Sequence, residues 1–140
     1  DTGFGVLEIA GARLGMMICF DWYFPESART LALRGAQIIA HPSNLVLPHC
    51  QTAMVTRCLE NRVFAITTNR YGTEVLDDEE LTFTGASQLM SPRGERLLQA
   101  PIEGDCVLVA GIDAAEADNK RPTSRNDLFE DRRPSFYACQ

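Results

Sequence analysis

The segment MMICFDWYFPES, residues 16–27, carries a cysteine, Cys19, at the point where an apolar run gives way to acid, aromatics and Pro-Glu. A thiol at the carboxyl end of a buried strand, just ahead of a helix, meets unpaired backbone N–H groups and the positive end of a helix dipole. Both favour a thiolate and an oxyanion developing on a bound carbonyl. Such a thiol can be a nucleophile held at a fixed address, or it can pack as a small hydrophobe, since free cysteine is among the most buried residue types. Cys50, Cys58, Cys106 and Cys139 read as structural: Cys58 falls on an apolar helix stripe and Cys106 opens a strand. A cysteine nucleophile needs a base. His41 and His49 are the only histidines, and His41, ending a strand before a proline, reads equally as a satisfied structural imidazole. Glu26 reads as an early helix residue pairing with Arg29 at i+3 rather than as a base.

The elements around these residues follow from periodicity. Residues 5–10 alternate loosely, Gly11-Ala12 reads as a turn, and residues 14–20 form a continuous apolar run, which predicts a hairpin whose second strand is buried on both faces. Pro25 suits the first position of a helix, Leu31, Ala32 and Leu33 give it an apolar side, and Gly35 suits its C-terminal cap. A strand over residues 36–40 completes a βαβ unit with parallel strands. The segment HPSNLVLP reads as a loop, residues 51–62 as a second amphipathic helix and residues 63–68 as a third buried strand. The acidic stretch within residues 73–84 reads as a solvated loop. Residues 86–91 and 96–99 flank Pro92-Arg93-Gly94 as a hairpin, residues 106–112 make one more strand, and AAEAD is a short helix before a charged, proline-containing tail. Reactive groups in such α/β sheets gather where parallel strands end, and Cys19 is at such an edge.

With 140 residues, 45% hydrophobic and 23% charged, the chain suffices for one α/β domain with a real core. A net charge of −6, with basic residues scattered along the chain, excludes the phosphate-binding footprint of a nucleic-acid partner. No run approaches the roughly 18 apolar residues that span a bilayer, so no membrane partner is expected. The N-terminal stretch lacks the marks of a signal peptide, so the expected compartment is the cytoplasm. Five cysteines without a C-x-x-C pair fit neither a disulfide framework nor a zinc ribbon, so no metal is expected. All 13 basic residues except Lys120 are arginine.

CFDWYFPESARTLALRGA, then IIAHPSN, RCLENRVFAITTNRYG, GASQLMSPRGERL and RNDLFEDRRPSFY occur in that order over nearly the whole chain. In this the sequence resembles the C-terminal half of the carbon-nitrogen hydrolase, or nitrilase, superfamily. The resemblance implies an α-β-β-α sandwich and a Glu-Lys-Cys triad that cleaves a carbon-nitrogen bond outside a peptide backbone. It makes Cys19 the nucleophile and the backbone N–H of Phe20 an oxyanion donor, and it lines the substrate pocket with Asp21, Trp22, Asn44 and Leu45. It further implies a small amide, carbamoyl or nitrile substrate, no cofactor, and a homodimer or higher homo-oligomer. Residues 1–120 would then be the C-terminal part of the hydrolase domain, and residues 121–140 a tail that crosses to a neighbouring subunit or frays.

Only eighteen residues precede Cys19, and Lys120 matches no catalytic position, so neither the base nor the lysine of the triad is assigned here. Two readings follow: the nucleophile-bearing part of a longer hydrolase, or a non-catalytic truncated module that keeps the fold and an association surface. Within the first, Phe20-Asp21 after the cysteine points to an amidase or carbamoylase ahead of a nitrilase, with acyl transfer to an amine as a variant of the same chemistry. A thiol redox protein is a third reading, weakened by the lack of C-x-x-C. A half-sandwich leaves apolar surface uncovered, which predicts self-association.

Overall fold

The computed structural model describes residues 3–77 and 79–137. Cys139 lies outside them.

One six-stranded sheet organises the chain. Strands β1 (Val6–Ile9) and β2 (Ala12–Met16) pair antiparallel, and β2 continues in parallel to β3 (Ile38–Ser43) and β4 (Phe64–Asn69). The sheet is completed antiparallel by β7 (Gln88–Met90) and β8 (Arg96–Gln99), in the order β1-β2-β3-β4-β7-β8. Between β4 and β7 a separate two-stranded ribbon forms from β5 (Tyr71–Leu76) and β6 (Glu79–Thr84). The turn between β1 and β2 sits on Ala10 and Gly11, both at positive φ, one residue earlier than the sequence suggests. Two consecutive positive-φ residues match the twist of a tight hairpin, and glycine adopts that region at little cost.

The two parallel crossovers carry α1 (Pro25–Leu33) and α2 (Cys50–Asn61). Pro25 stands at the start of α1 as expected. The helix ends when the Gly35 and Ala36 amides turn back to the carbonyls of Ala32 and Leu31 at 3.0 Å. Glu26 and Arg29 do not form the expected pair. Arg29 instead donates to the Glu60 carbonyl at 2.8 Å and lies over the Phe129 ring, so it ties α1 to α2 and to the tail. At the same C-terminal end of α2, Lys120 donates from Nζ to the carbonyls of Asn61 and Arg62 at 3.0 and 2.9 Å. A cation there satisfies carbonyls that a helix C-terminus leaves unpaired.

Both helices pack on one face of the sheet. Gly15, Met17, Ile39, His41, Ala65 and Thr67 are buried beneath them, together with Ala28, Leu31, Met54 and Cys58 from the helices. The alternate positions open the other face: Met16, Ile18 and Ile66 are exposed. The expected two-sided burial of residues 14–20 is therefore corrected to burial on one face. A continuous apolar run cannot by itself reveal that only one of its sides is covered.

Three further expectations change. Residues 73–76 and 79–84 are not a loop but most of the β5–β6 ribbon, where Thr73 and Thr82 face each other across the strands at 3.0 Å, and Asp78 of the expected acidic loop lies outside the described residues. Backbone pairing and β-branched neighbours outweighed the acidic composition. Residues 106–112 are not a strand: they pair with no other strand, and Cys106, Val107 and Val109 are exposed. Finally, β3 runs past residue 40 through His41, Pro42 and Ser43, so the expected loop starts at Asn44. AAEAD does form the short helix expected, a 3-10 turn over Ala114–Asp118 capped by the Asp113 carboxylate.

Candidate active site

The chain leaves β2 at Met16. The Met17 amide still bonds the Ala40 carbonyl at 3.1 Å, and then Cys19 turns into the left-handed region at φ +47. Non-glycine residues avoid that region because Cβ crowds the backbone, so its appearance at a candidate nucleophile marks a position over-determined by its surroundings. Cys19 opens a 3-10 helix, Cys19–Tyr23, and this turn, not α1, follows the cysteine directly. α1 itself starts at Pro25, as the proline predicts. The turn is closed by Asp21, whose carboxylate accepts from the Ile18 amide at 2.7 Å. The Asp21 carbonyl in turn accepts from the Phe24 amide at 3.2 Å.

The Cys19 side chain is half-buried, and its Sγ–H reaches the Asn44 carbonyl at 3.8 Å. This joins the end of β2 to the loop after β3. That loop is stitched from behind by Asn69, whose Oδ1 accepts from the Leu45 amide at 2.8 Å. Its Nδ2 donates to Thr84 Oγ1 at 2.9 Å and to the Gly85 carbonyl at 2.7 Å. The Thr84 amide returns a bond to the Leu45 carbonyl at 2.8 Å. His41 is completely buried, with Nε2 2.8 Å from the Cys19 carbonyl oxygen and Nδ1 3.2 Å from Thr67 Oγ1. Burial holds its pKa below the ordinary histidine value, partly offset by the bond to Cys19 and by the charge of Asp21. It is the satisfied imidazole that the sequence allowed.

The structure brings Cys19, Phe20, Asp21 and Asn44 together and leaves their side chains wholly or partly exposed. The ring of Phe20 stacks on Tyr23 at 5.2 Å and meets Phe24 edge-on at 5.7 Å. Trp22 and Leu45 are placed differently: both belong to the hydrophobic core, at 4% and 3% exposure. The Trp22 carbonyl accepts from Arg57 Nε at 3.3 Å. Sequence reasoning missed Asn69, Thr84 and the carbonyl contact of His41. Asn69 lies within TTNRYG, but its bonding reach depends on which loop the fold delivers to it.

The other thiols sort by burial. Cys50 is pushed up to about 12 by burial and by the neighbouring Cys19, and Cys58 is raised by burial alone, so both stay protonated. Cys106 is exposed, a correction to its reading as a core thiol. Among the described residues no group of three or more His, Cys, Asp or Glu could hold a metal ion. No helix among them is long and apolar enough to cross a membrane. A cavity of about 300 Å³ lies on the open sheet face, lined by Ile66, Thr68, Leu89, Leu98 and Val107, and none of the candidate residues lines it.

The fold is an α/β sheet in which a partly exposed cysteine stands at a left-handed turn beyond the carboxyl end of a parallel strand, the edge where such sheets gather their reactive groups. The chain belongs to the carbon-nitrogen hydrolase family, whose family model, described as Carbon-nitrogen hydrolase, matches residues 1–122. It is 48% identical over 137 residues to a protein of Pyrococcus abyssi named Nitrilase, covering 98% of this chain and 51% of that one. The crystal structure of a carbon-nitrogen hydrolase from Helicobacter pylori G27 is 29% identical, with a TM-score of 0.83, over 98% of this chain and 52% of that one. A mutant of the amidase from Nesterenkonia sp. AN1 was solved with the acetamide moiety of fluoroacetamide covalently added at its active-site cysteine. It is 28% identical, with a TM-score of 0.65, over 74% of this chain and 39% of that one. The chain spans about half the length of the curated relatives it matches. The expected α/β fold is thus shared with solved members of the family.

Proposed function

We propose that this chain carries the nucleophile of a hydrolase that cleaves a non-peptide carbon-nitrogen bond in a small amide or carbamoyl compound, with Cys19 as that nucleophile. The observation that carries the reading is Cys19 itself, half-buried and held at φ +47 beyond the end of a parallel strand. The Nesterenkonia amidase, whose active-site cysteine took up the acetamide moiety of fluoroacetamide, supports a nucleophilic cysteine in this family.

In this reading Sγ forms a bond to the carbonyl carbon, and the electron pair of the C=O bond moves onto oxygen. The Phe20 N–H, in the first turn of a helix where amides lack an intrahelical acceptor, meets that charge. The C–N bond then breaks, the amine leaves with a proton, and a thioester remains. Water adds to the thioester, releases the acid and returns the thiol. The acyl-enzyme divides one hard hydrolysis into two easier steps. The proton transfers fall to the glutamate and lysine that the resemblance implies, and no residue described here is given either role. Asp21 and Asn44 edge the pocket in this proposal. Trp22 and Leu45 support it from the core.

Nitrile hydrolysis is the second reading, favoured by the 48% identity to the Pyrococcus protein. Residence in the cytoplasm belongs to the same proposal, in keeping with four described cysteines that are all free. The test is intact-mass analysis of the longest natural polypeptide carrying this chain, acid-quenched during turnover of a small amide and, separately, of the matching nitrile. An acyl adduct that maps to Cys19 and is missing in Cys19→Ala is expected. Hydrolysis that persists in Cys19→Ala would overturn the assignment, and turnover of the nitrile alone would move the substrate class to the second reading. Relatives named as enzymes weigh against the non-catalytic module.

A further inference from the structure

We propose that His41 is a positioning residue for the nucleophile turn: its imidazole pins the Cys19 carbonyl and thereby aims the Phe20 N–H at the developing oxyanion. This rests on the reading of Cys19 as nucleophile given above.

A carbonyl oxygen can only accept, so at 2.8 Å from Cys19 O the Nε2 of His41 carries the proton and donates it. Nδ1 is then bare, and Thr67 Oγ1, 3.2 Å away, donates to it. Ser43 Oγ closes the network, 3.0 Å from Nε2 and 3.3 Å from the His41 carbonyl, to which it donates. The tautomer is therefore set by three neighbours on β3, β4 and the nucleophile turn. The ring is fully buried, so water does not compete for these bonds. Burial also keeps the imidazole neutral, the form this pattern requires.

The peptide joining Cys19 to Phe20 is planar, with its C=O and N–H pointing in opposite directions. Fixing the carbonyl on one side fixes the amide on the other. The peptide has reason to move: Cys19 at φ +47 is in a region that non-glycine residues leave when they can. Rotation of that peptide would swing the Phe20 N–H off the reacting oxygen. His41 opposes that rotation from the rigid side, because β3 is held on both flanks, by β2 through the Met17 amide on Ala40 O and by β4 through Pro42 opposite Thr68. A preorganised donor of this kind acts on the transition state and not on substrate binding.

The experiment separates two reactions of one thiol in the longest natural polypeptide carrying this chain. Acylation by an amide substrate forms an oxyanion; alkylation by iodoacetamide displaces iodide and forms none. His41→Phe, which keeps the ring and loses the donor, is expected to slow acylation and kcat at least about thirtyfold, within the range seen for loss of a preorganised oxyanion contact. KM and alkylation of Cys19 should stay within about threefold. His41→Gln, which retains an N–H donor, is expected to recover most of the loss. If His41→Phe does not fold, Thr67→Val removes the donor on Nδ1 and frees the tautomer, and acylation should fall about fivefold with alkylation unchanged. Acylation at the wild-type rate in either folded variant, or equal slowing of acylation and alkylation, would overturn the role of His41 while leaving Cys19 as nucleophile. Turnover surviving in Cys19→Ala would instead remove the reading on which it rests.

Discussion

The only lysine of the chain, Lys120, donates from Nζ to the carbonyl of Asn61 at 3.0 Å, closing the C-terminal end of α2 from a point 59 residues further along the sequence. It also bonds the Arg62 carbonyl and lies 5.0 Å from the centre of the Phe129 ring. Its place is thus the end of a helix and the root of the tail, with two backbone acceptors and an aromatic face already engaged.

Lys120→Met keeps the aliphatic stem and loses the donors, which should lower stability by about 1 kcal/mol through unpaired helix carbonyls. Burial first, then Arg62, Arg13 and Arg29, bring its pKa down from 10.5 to about 8, against the pull of Asp118. A lowered cation pKa means that between these values the unfolded chain binds the extra proton. The stability of the wild type therefore rises as pH goes from about 8 to 10.5. Urea melts across that range should show the rise in the wild type and a flatter profile in Lys120→Met.

Below neutral pH the sensitive group is His41. Its pKa in the fold lies below 6.5, so as pH drops through that value the unfolded chain takes up a proton first and stability declines. Stability is fully present above pH 6.5 and is lost below it. His41→Gln, which cannot titrate, should lack this loss. Melts at pH 7.5 and 5.0 check it, the expected result being a stability difference between the two proteins that narrows or reverses at the lower pH.

Gly85 is fixed by its surroundings. It has φ +54, and a Cβ there would stand 1.9 Å from the Ile102 carbonyl oxygen. Gly85→Ala adds both strain and a clash with backbone, which cannot move aside as a side chain can, and should cost more than about 3 kcal/mol. Because the Gly85 carbonyl accepts from Asn69, which holds Leu45, the same substitution should loosen the loop beside Cys19. Faster proteolysis near residues 44–48, together with a lowered melting midpoint, is the expected pair of readouts.

The open sheet face should drive association of the isolated chain. Met16, Ile18 and Ile66 lie uncovered there, and Val107 and Val109 are 88% and 87% exposed in a segment with no ladder partner. Sedimentation velocity should show mass rising with concentration, and Ile66→Glu with Val109→Asp should shift the distribution towards monomer. A wild type that stays monomeric at every concentration would contradict this.

Much of the organisation was legible before any coordinates. Pro25 begins α1, the stripe Met54, Cys58 marks the buried side of α2, and residues 96–99 form β8, because each signal is local: a fixed φ, a helical period, a turn between short strands. The β5–β6 ribbon was not legible, since its acidic residues argue for solvent while its pairing depends on a partner strand across the turn. The strand expected over residues 106–112 failed for the converse reason. An apolar extended segment is a strand only when another strand is beside it.

The site divides in the same way. The sequence alone determined that a cysteine stands where a buried run ends, and the order of the surrounding segments sufficed to name the family they resemble. What only the tertiary structure decided is which groups meet that cysteine. The left-handed turn at Cys19, the Asn44 carbonyl near Sγ, the retreat of Trp22 and Leu45 into the core, and the bond from His41 all join residues brought together by parallel strand pairing. A hydrogen bond between residues 22 apart has no signature in either local stretch, because its geometry is set by the register of β2 against β3.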